Sequence, residues 1–231
     1  MKRFLLILLS LVCIAFCVAC GKKAPKINDV VNKDEAVQYK EIFFENNTAY
    51  DNKKMTKTGI FTILYDAFND TERYYVWGYE NKDRESGWQW EFSVKDPSEL
   101  PKAGSEVTVS GKFVANEKAL DKKWIENASV KVESEYKDSP CKYDLTTMSP
   151  VLSARVQMPN IINHPSKFED ESICVYGKLT EGSVLSSPYE DMAWSIPVTS
   201  DEELPEAGSF VTVIGKYDEH GHFVVEKVYT K

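Results

Sequence analysis

The chain contains one passage twice, so any fold proposed for it must hold two copies of one unit. The run from Leu100-Pro101-Lys102-Ala103-Gly104-Ser105 through Val107-Thr108-Val109 to Gly111-Lys112-Phe113 returns from Leu204-Pro205-Glu206-Ala207-Gly208-Ser209 to Gly215-Lys216-Tyr217, at a constant offset of 104. Continued upstream without a gap, that offset places Trp90 on Trp194 and Val94 on Val198. A second block matches at offset 118: Phe43-Phe44 falls on Ile161-Ile162, Tyr50 on Phe168, and Met55 to Gly59 on Ile173 to Gly177. The first copy therefore carries fourteen extra residues, placed between Tyr65 and Ser86. Self-similarity at this scale indicates two homologous modules of unequal length.

Within each copy the polarity alternates with the period of a half-buried strand. The expected strands are Met55 to Leu64, Arg73 to Glu80, Trp88 to Val94, Val107 to Val114 and Trp124 to Val132 in the first module. In the second they include Ile173 to Leu179, Phe210 to Tyr217 and His222 to Tyr229. A short helical spacing precedes each set, at Glu35 to Phe44 and at Val151 to Ile162, the latter expected to be interrupted by Pro159. Gly59, Gly111, Gly177 and Gly215 fall in mid-strand, where a tightly bent strand requires glycine. The expected fold is mainly β: two tandem five-stranded barrels, each preceded by a short helix. This arrangement, with the repeated Val-Thr-Val-x-Gly-Lys-aromatic pattern after Leu-Pro-x-Ala-Gly-Ser, resembles the OB-like domains of bacterial lipoproteins of unknown function. That resemblance implies a barrel and leaves the activity open.

The N-terminus places the modules. Lys2 and Arg3 precede an apolar run from Phe4 to Ala19, too short to span a bilayer. It ends at Cys17-Val18-Ala19-Cys20-Gly21, which resembles the lipobox of bacterial lipoproteins, with Cys17 where that motif usually has Leu. The resemblance implies cleavage before Cys20 and a lipid on its sulfur. The expected organisation is a signal peptide at 1–19, a tether at 20–34, an OB-like domain at 35–135, a linker at 136–149 and a second OB-like domain at 150–231. The protein is then extracytoplasmic and lipid-anchored to the cell membrane.

Charge and chemistry narrow the function. The net charge of −8 becomes −10 once Lys2 and Arg3 leave with the signal, so the attraction that drives binding to phosphate backbones is missing and nucleic acid is disfavoured. No nucleophile elbow, His-Glu-x-x-His or glycine-rich phosphate loop occurs, so no catalytic residue and no cofactor are expected. His220-Gly221-His222 suits a solvated hairpin tip better than a metal site, since zinc needs further ligands at defined spacing. Of the five cysteines, Cys141 and Cys174 alone remain as thiols after processing and acylation, and they could form one disulfide.

Aromatic density in the first copy marks the candidate binding residues. Trp88, Trp90 and Phe92 share one strand parity, and Tyr75, Trp77 and Tyr79 share another. One set packs the barrel, and a surplus would form a stacking surface, with Trp77, Tyr79 and Trp88 as the residues to follow. The expected role is a non-catalytic binding or adaptor module, with an envelope protein, peptide or glycan as partner besides the membrane itself. The alternative is a solute- or glycan-binding lipoprotein that uses the aromatic face of the first module.

Overall fold

The computed structural model describes residues 50–79, 87–114, 125–137 and 141–230. Cys20, the signal and tether segments, and the helix expected at 35–44 lie outside the described residues. The first module holds β1 (Lys54–Asp66), β2 (Thr71–Tyr79), β3 (Gly87–Phe92), β4 (Glu106–Phe113) and β5 (Ile125–Ser134). These close into a barrel in the order β1-β2-β3-β5-β4. A short β6 (Tyr143–Asp144) follows, then a continuous helical segment made of a π-helix (Val151–Gln157) and α1 (Met158–Asn163). The second module holds β7 (Ile173–Thr180), β8 (Val184–Ser186), β9 (Ser195–Ser200), β10 (Phe210–Tyr217) and β11 (Phe223–Thr230). Their order is β7-β8-β9-β11-β10, and β10 also pairs with β7, so the strand ring repeats that of the first module. In both, the third and fifth strands are the parallel pair. Both sheets are barrel-like, consistent with the expected OB-like fold.

Small details repeat as well. The Pro-x-Ala-Gly turn ends on Gly104 at φ +95° and on Gly208 at φ +97°, a backbone region that glycine enters without steric cost. Gly104 N donates to Phe61 O and Gly208 N to Leu179 O, each at 2.8 Å, so each turn is pinned to the first strand of its barrel. Register shifts occur at Gly111 and at Gly215, the bulges that let a small barrel close. A Cβ at Gly111 would lie 2.7 Å from Glu126 O and one at Gly215 2.5 Å from Val224 O.

Where the copies differ is more informative. Sixteen residues separate the paired Ile60 and Trp77, but only seven separate the equivalent pair Lys178 and Ser186. Most of the extra length therefore extends the β1–β2 hairpin into an arm. The arm reaches the second module: Leu64, Ala67 and Tyr75 belong to the same apolar cluster as Leu152, Ile161, Phe168 and Val175. A second cluster, with Met55, Phe61, Val76, Trp90 and Val109, fills the first barrel.

Polar contacts close the same interface. Gln157 Oε1 accepts from Tyr65 N at 3.1 Å, and Asn160 Oδ1 accepts from Ala67 N at 3.4 Å. Asn160 Nδ2 donates back to Tyr65 O, so the helical segment satisfies the backbone of the arm. Tyr65 packs edge-on against Phe168 at 5.5 Å. The segment at 136–149 contributes too, burying Leu145 and Met148 in the shared cluster. Pro159 does not interrupt the helical segment, contrary to expectation. It sits in the first turn of α1, where the hydrogen-bonding period changes and the missing N–H costs little.

Register also revises the equivalence of the tryptophans. Trp77 pairs with Gln89, and Ser186, the partner that matches Trp77, pairs with Ser195. Trp194 thus occupies the place of Trp88, and the place of Trp90 is taken by Ile196. The copies differ by two residues in the connection between the third and fourth strands. A two-residue gap preserves the inward and outward alternation, so the gap-free sequence match concealed it.

Candidate functional site

The two parities of aromatic residues separate as the alternation requires. Trp88, Trp90 and Phe92 point into the first barrel. Tyr75, Trp77 and Tyr79 lie on its outer face, and that face turns towards the second module. Trp77 is 8% exposed and donates its Nε1–H to Thr147 O at 2.8 Å. Gln89, opposite Trp77 in the sheet, accepts a hydrogen bond from Ser149 Oγ at 2.7 Å. Next to it, Glu91 takes two hydrogen bonds from Arg73 and one from Tyr75 OH, a buried carboxylate fully engaged by its own sheet.

Between this face and the second module lies a cleft of about 650 Å³, within the range usual for small-molecule sites. Trp77 and Tyr79 line one side, their rings in edge contact at 5.5 Å. Tyr176 on β7, Tyr189 in the β8–β9 connection and Trp194 line the other. Burial raises the pKa of Tyr189, and the neighbouring Tyr79 and Tyr176 raise it further, so three phenols converge on one hollow. Thr146, Ser153 and Thr212 add hydroxyls, and among the described residues Glu106 is the sole charged one lining it. The buried Nε1 of Trp194 has no hydrogen-bond partner among the described residues. The cleft can thus stack apolar ring faces and exchange hydrogen bonds with neutral polar groups.

The structure brings together Trp77 and Tyr79 of the three expected binding residues and places Trp88 elsewhere. The Trp88 indole lies inside the barrel, against Gly59 and Gly78, where a Cβ at either position would come within 2.7 Å of it. The Lys57 ammonium sits 3.4 Å above the indole ring centroid. Tyr176 and Tyr189 were not singled out by sequence, because nothing in one copy announces which of its faces the other will approach.

Cys141 and Cys174 are both buried thiols with no disulfide between them, and with Ile214 they form a small separate cluster. The two thiols are hydrogen-bonded to each other, and burial followed by the charge of nearby Asp144 pushes both pKa values up. His220 and His222 occupy an exposed turn, where their backbone N–H groups donate to Asp218 Oδ1 at 2.9 and 2.8 Å. Among the described residues no three His, Cys, Asp or Glu side chains gather as a metal site. No protein-family model matches this chain, and no curated protein sequence matches it.

Two tests follow from these geometries. Lys57 is 2% exposed, and burial lowers its pKa from 10.5 to about 7. The unfolded chain therefore binds one more proton than the folded chain between about pH 7 and 10.5, and Lys57 makes stability rise with pH across that window. Lys57→Met is expected to stabilise the protein most at pH 7 and below and to flatten that rise, as read by urea unfolding at several pH values. An unchanged difference between variant and wild type across the window would contradict burial of the amine. For the cysteine pair, mild oxidation with diamide is expected to remove two thiol protons and two electrons, closing one disulfide with the loss of two hydrogens in intact mass. High-pKa buried thiols exchange slowly, so the reaction is expected to take place over hours. Two thiols that still react with an alkylating agent after unfolding of the oxidised sample would rule out the pairing.

Proposed function

We propose that this chain is a non-catalytic binding protein of the cell envelope, held to the membrane by a lipid on Cys20, with the cleft between its modules as the ligand site. The anchor rests on the order of basic, apolar and small residues before Cys20. The observation that carries the binding reading is the aromatic cleft formed by Trp77, Tyr79, Tyr176, Tyr189 and Trp194. Each barrel contributes to it, and the hairpin arm that distinguishes the first copy holds the two walls in place. A purely adaptor role is supported less: of the exposed large apolar side chains described, Phe68, Val132 and Val156 lie in the β1–β2 turn, on β5 and on the π-helix, and the remaining two, Phe210 and Tyr229, lie on β10 and β11 beside the cleft.

The test uses the full chain extracted from membranes in a detergent without a sugar headgroup. Wild type is expected to carry the mass of a diacylglycerol and to lack residues 1–19, and Cys20→Ala to lose both features. In a thermal-shift screen against envelope extracts separated into neutral glycan, peptide and lipid classes, one class is expected to raise the unfolding midpoint. Tyr176→Ala is expected to erase that rise. A rise that survives the substitution, or no rise with any class, would contradict the cleft as the binding site.

A further inference from the structure

The cleft does not end at its rim. Tyr176 on β7 pairs with Thr212 on β10, and Thr212 pairs with Tyr229 on β11, so the three side chains form one row across the outer face of the second barrel. Tyr176 and Thr212 belong to the cleft lining. Phe210, two residues from Thr212 on the same face, stacks with Tyr176 at 6.2 Å and an interplanar angle of 22°. Phe210 is 45% exposed and Tyr229 52% exposed, whereas most large apolar side chains of this barrel are buried. The Lys178 ammonium lies over the Phe210 ring, 5.6 Å from its centroid. An aromatic strip thus leaves the cleft at Tyr176 and continues over the sheet to Phe210 and Tyr229.

We propose that cleft and strip form one track for an uncharged linear saccharide, with its end rings in the cleft and later rings on Phe210 and Tyr229; this rests on the cleft being the ligand site. Sugar rings present apolar C–H faces that stack on aromatic side chains and a rim of hydroxyls that exchange hydrogen bonds. The track supplies both groups in sequence. Its phenols, together with Thr146, Ser153 and Thr212, serve the hydroxyls. Among the described residues the cleft lining holds Glu106 and no Lys, Arg or His, the strip adds Lys178 at Phe210, and the mature chain is strongly acidic. The net negative charge of the chain disfavours anionic glycans and phosphate-linked polymers. An extended peptide normally gains affinity by pairing with a free strand edge. The strands bordering the cleft, β1, β2, β7 and β10, are each paired on both sides.

Binding of neutral chito-, cello- and malto-oligosaccharides, from dimers to hexamers, is measured by calorimetry on the full chain in a detergent without a sugar headgroup. Affinity for at least one series is expected to grow with length. Because Phe210 and Tyr229 are exposed, Phe210→Ala and Tyr229→Ala should fold normally, as checked by circular dichroism. Each is expected to weaken hexamer binding by about tenfold, the loss of one good stacking contact, and to leave dimer binding unchanged. Tyr79→Ala is expected to weaken both lengths. Hexamer binding indifferent to Phe210→Ala and Tyr229→Ala would overturn the track while leaving the cleft intact. Tyr79-dependent binding of an anionic glycan, a peptide or a cationic ligand in place of the neutral series would overturn the ligand class alone. No binding of any of these would overturn the cleft reading together with the saccharide.

Discussion

The docking of one barrel's outer face on the other module is the contact on which the rest of the molecule depends. An OB-like barrel of this size fills its own interior, and the outer face of its second and third strands is the surface such folds commonly leave open for ligands. In the first module that face is largely covered. Tyr75 and Leu64 join the neighbouring core, Trp77 is tied to Thr147 O, and Gln89 to Ser149. A buried indole N–H left without an acceptor would cost about 1–3 kcal/mol, so the Trp77 contact resists separation as well as marking the interface. Because the apolar cluster runs through both modules, the cleft walls are fixed by packing rather than by a flexible linker.

Two buried charges in the first module show opposite solutions. Glu91 is 3% exposed but receives three hydrogen bonds, two of them from one guanidinium, the geometry that best offsets desolvation. Lys57 is equally buried, and the Trp88 ring face beneath its ammonium does not prevent burial from lowering its pKa to about 7. The π-face attracts a cation more weakly than a carboxylate does. The amine lies inside the barrel and the carboxylate on its outer face, so the two are buried by different contacts.

Much of the fold was legible because duplication prints the same signals twice. The repeated Pro-x-Ala-Gly turn and the mid-strand Gly111 and Gly215 named a turn and a bulge in each copy, and both occur there. The parity of Trp88, Trp90 and Phe92 against Tyr75, Trp77 and Tyr79 put the two sets on opposite faces without naming the core one, and Trp88, followed as a stacking residue, lies inside the barrel. The two-residue shift that aligns Trp194 with Trp88 was not legible, since it leaves every alternation unchanged. The site was half legible for a similar reason. Trp77 and Tyr79 stood out by density, whereas Tyr176 and Tyr189 gain their place only from contacts between the copies. The insertion between Tyr65 and Ser86 was visible as length, but its use as an interdomain arm depends on where Leu64 and Ala67 land, which no local pattern encodes.

The central claim is that the modules form one body across the Trp77 face. The most direct measurement is hydrogen exchange of the tryptophan indole N–H groups, followed by nuclear magnetic resonance. The Trp77 Nε1 proton is expected to exchange only on global unfolding, at the rate of the Trp90 proton buried inside the first barrel. Fast exchange of Trp77 beside a protected Trp90 would show that the barrels part while each stays folded, and would contradict a fixed cleft between them.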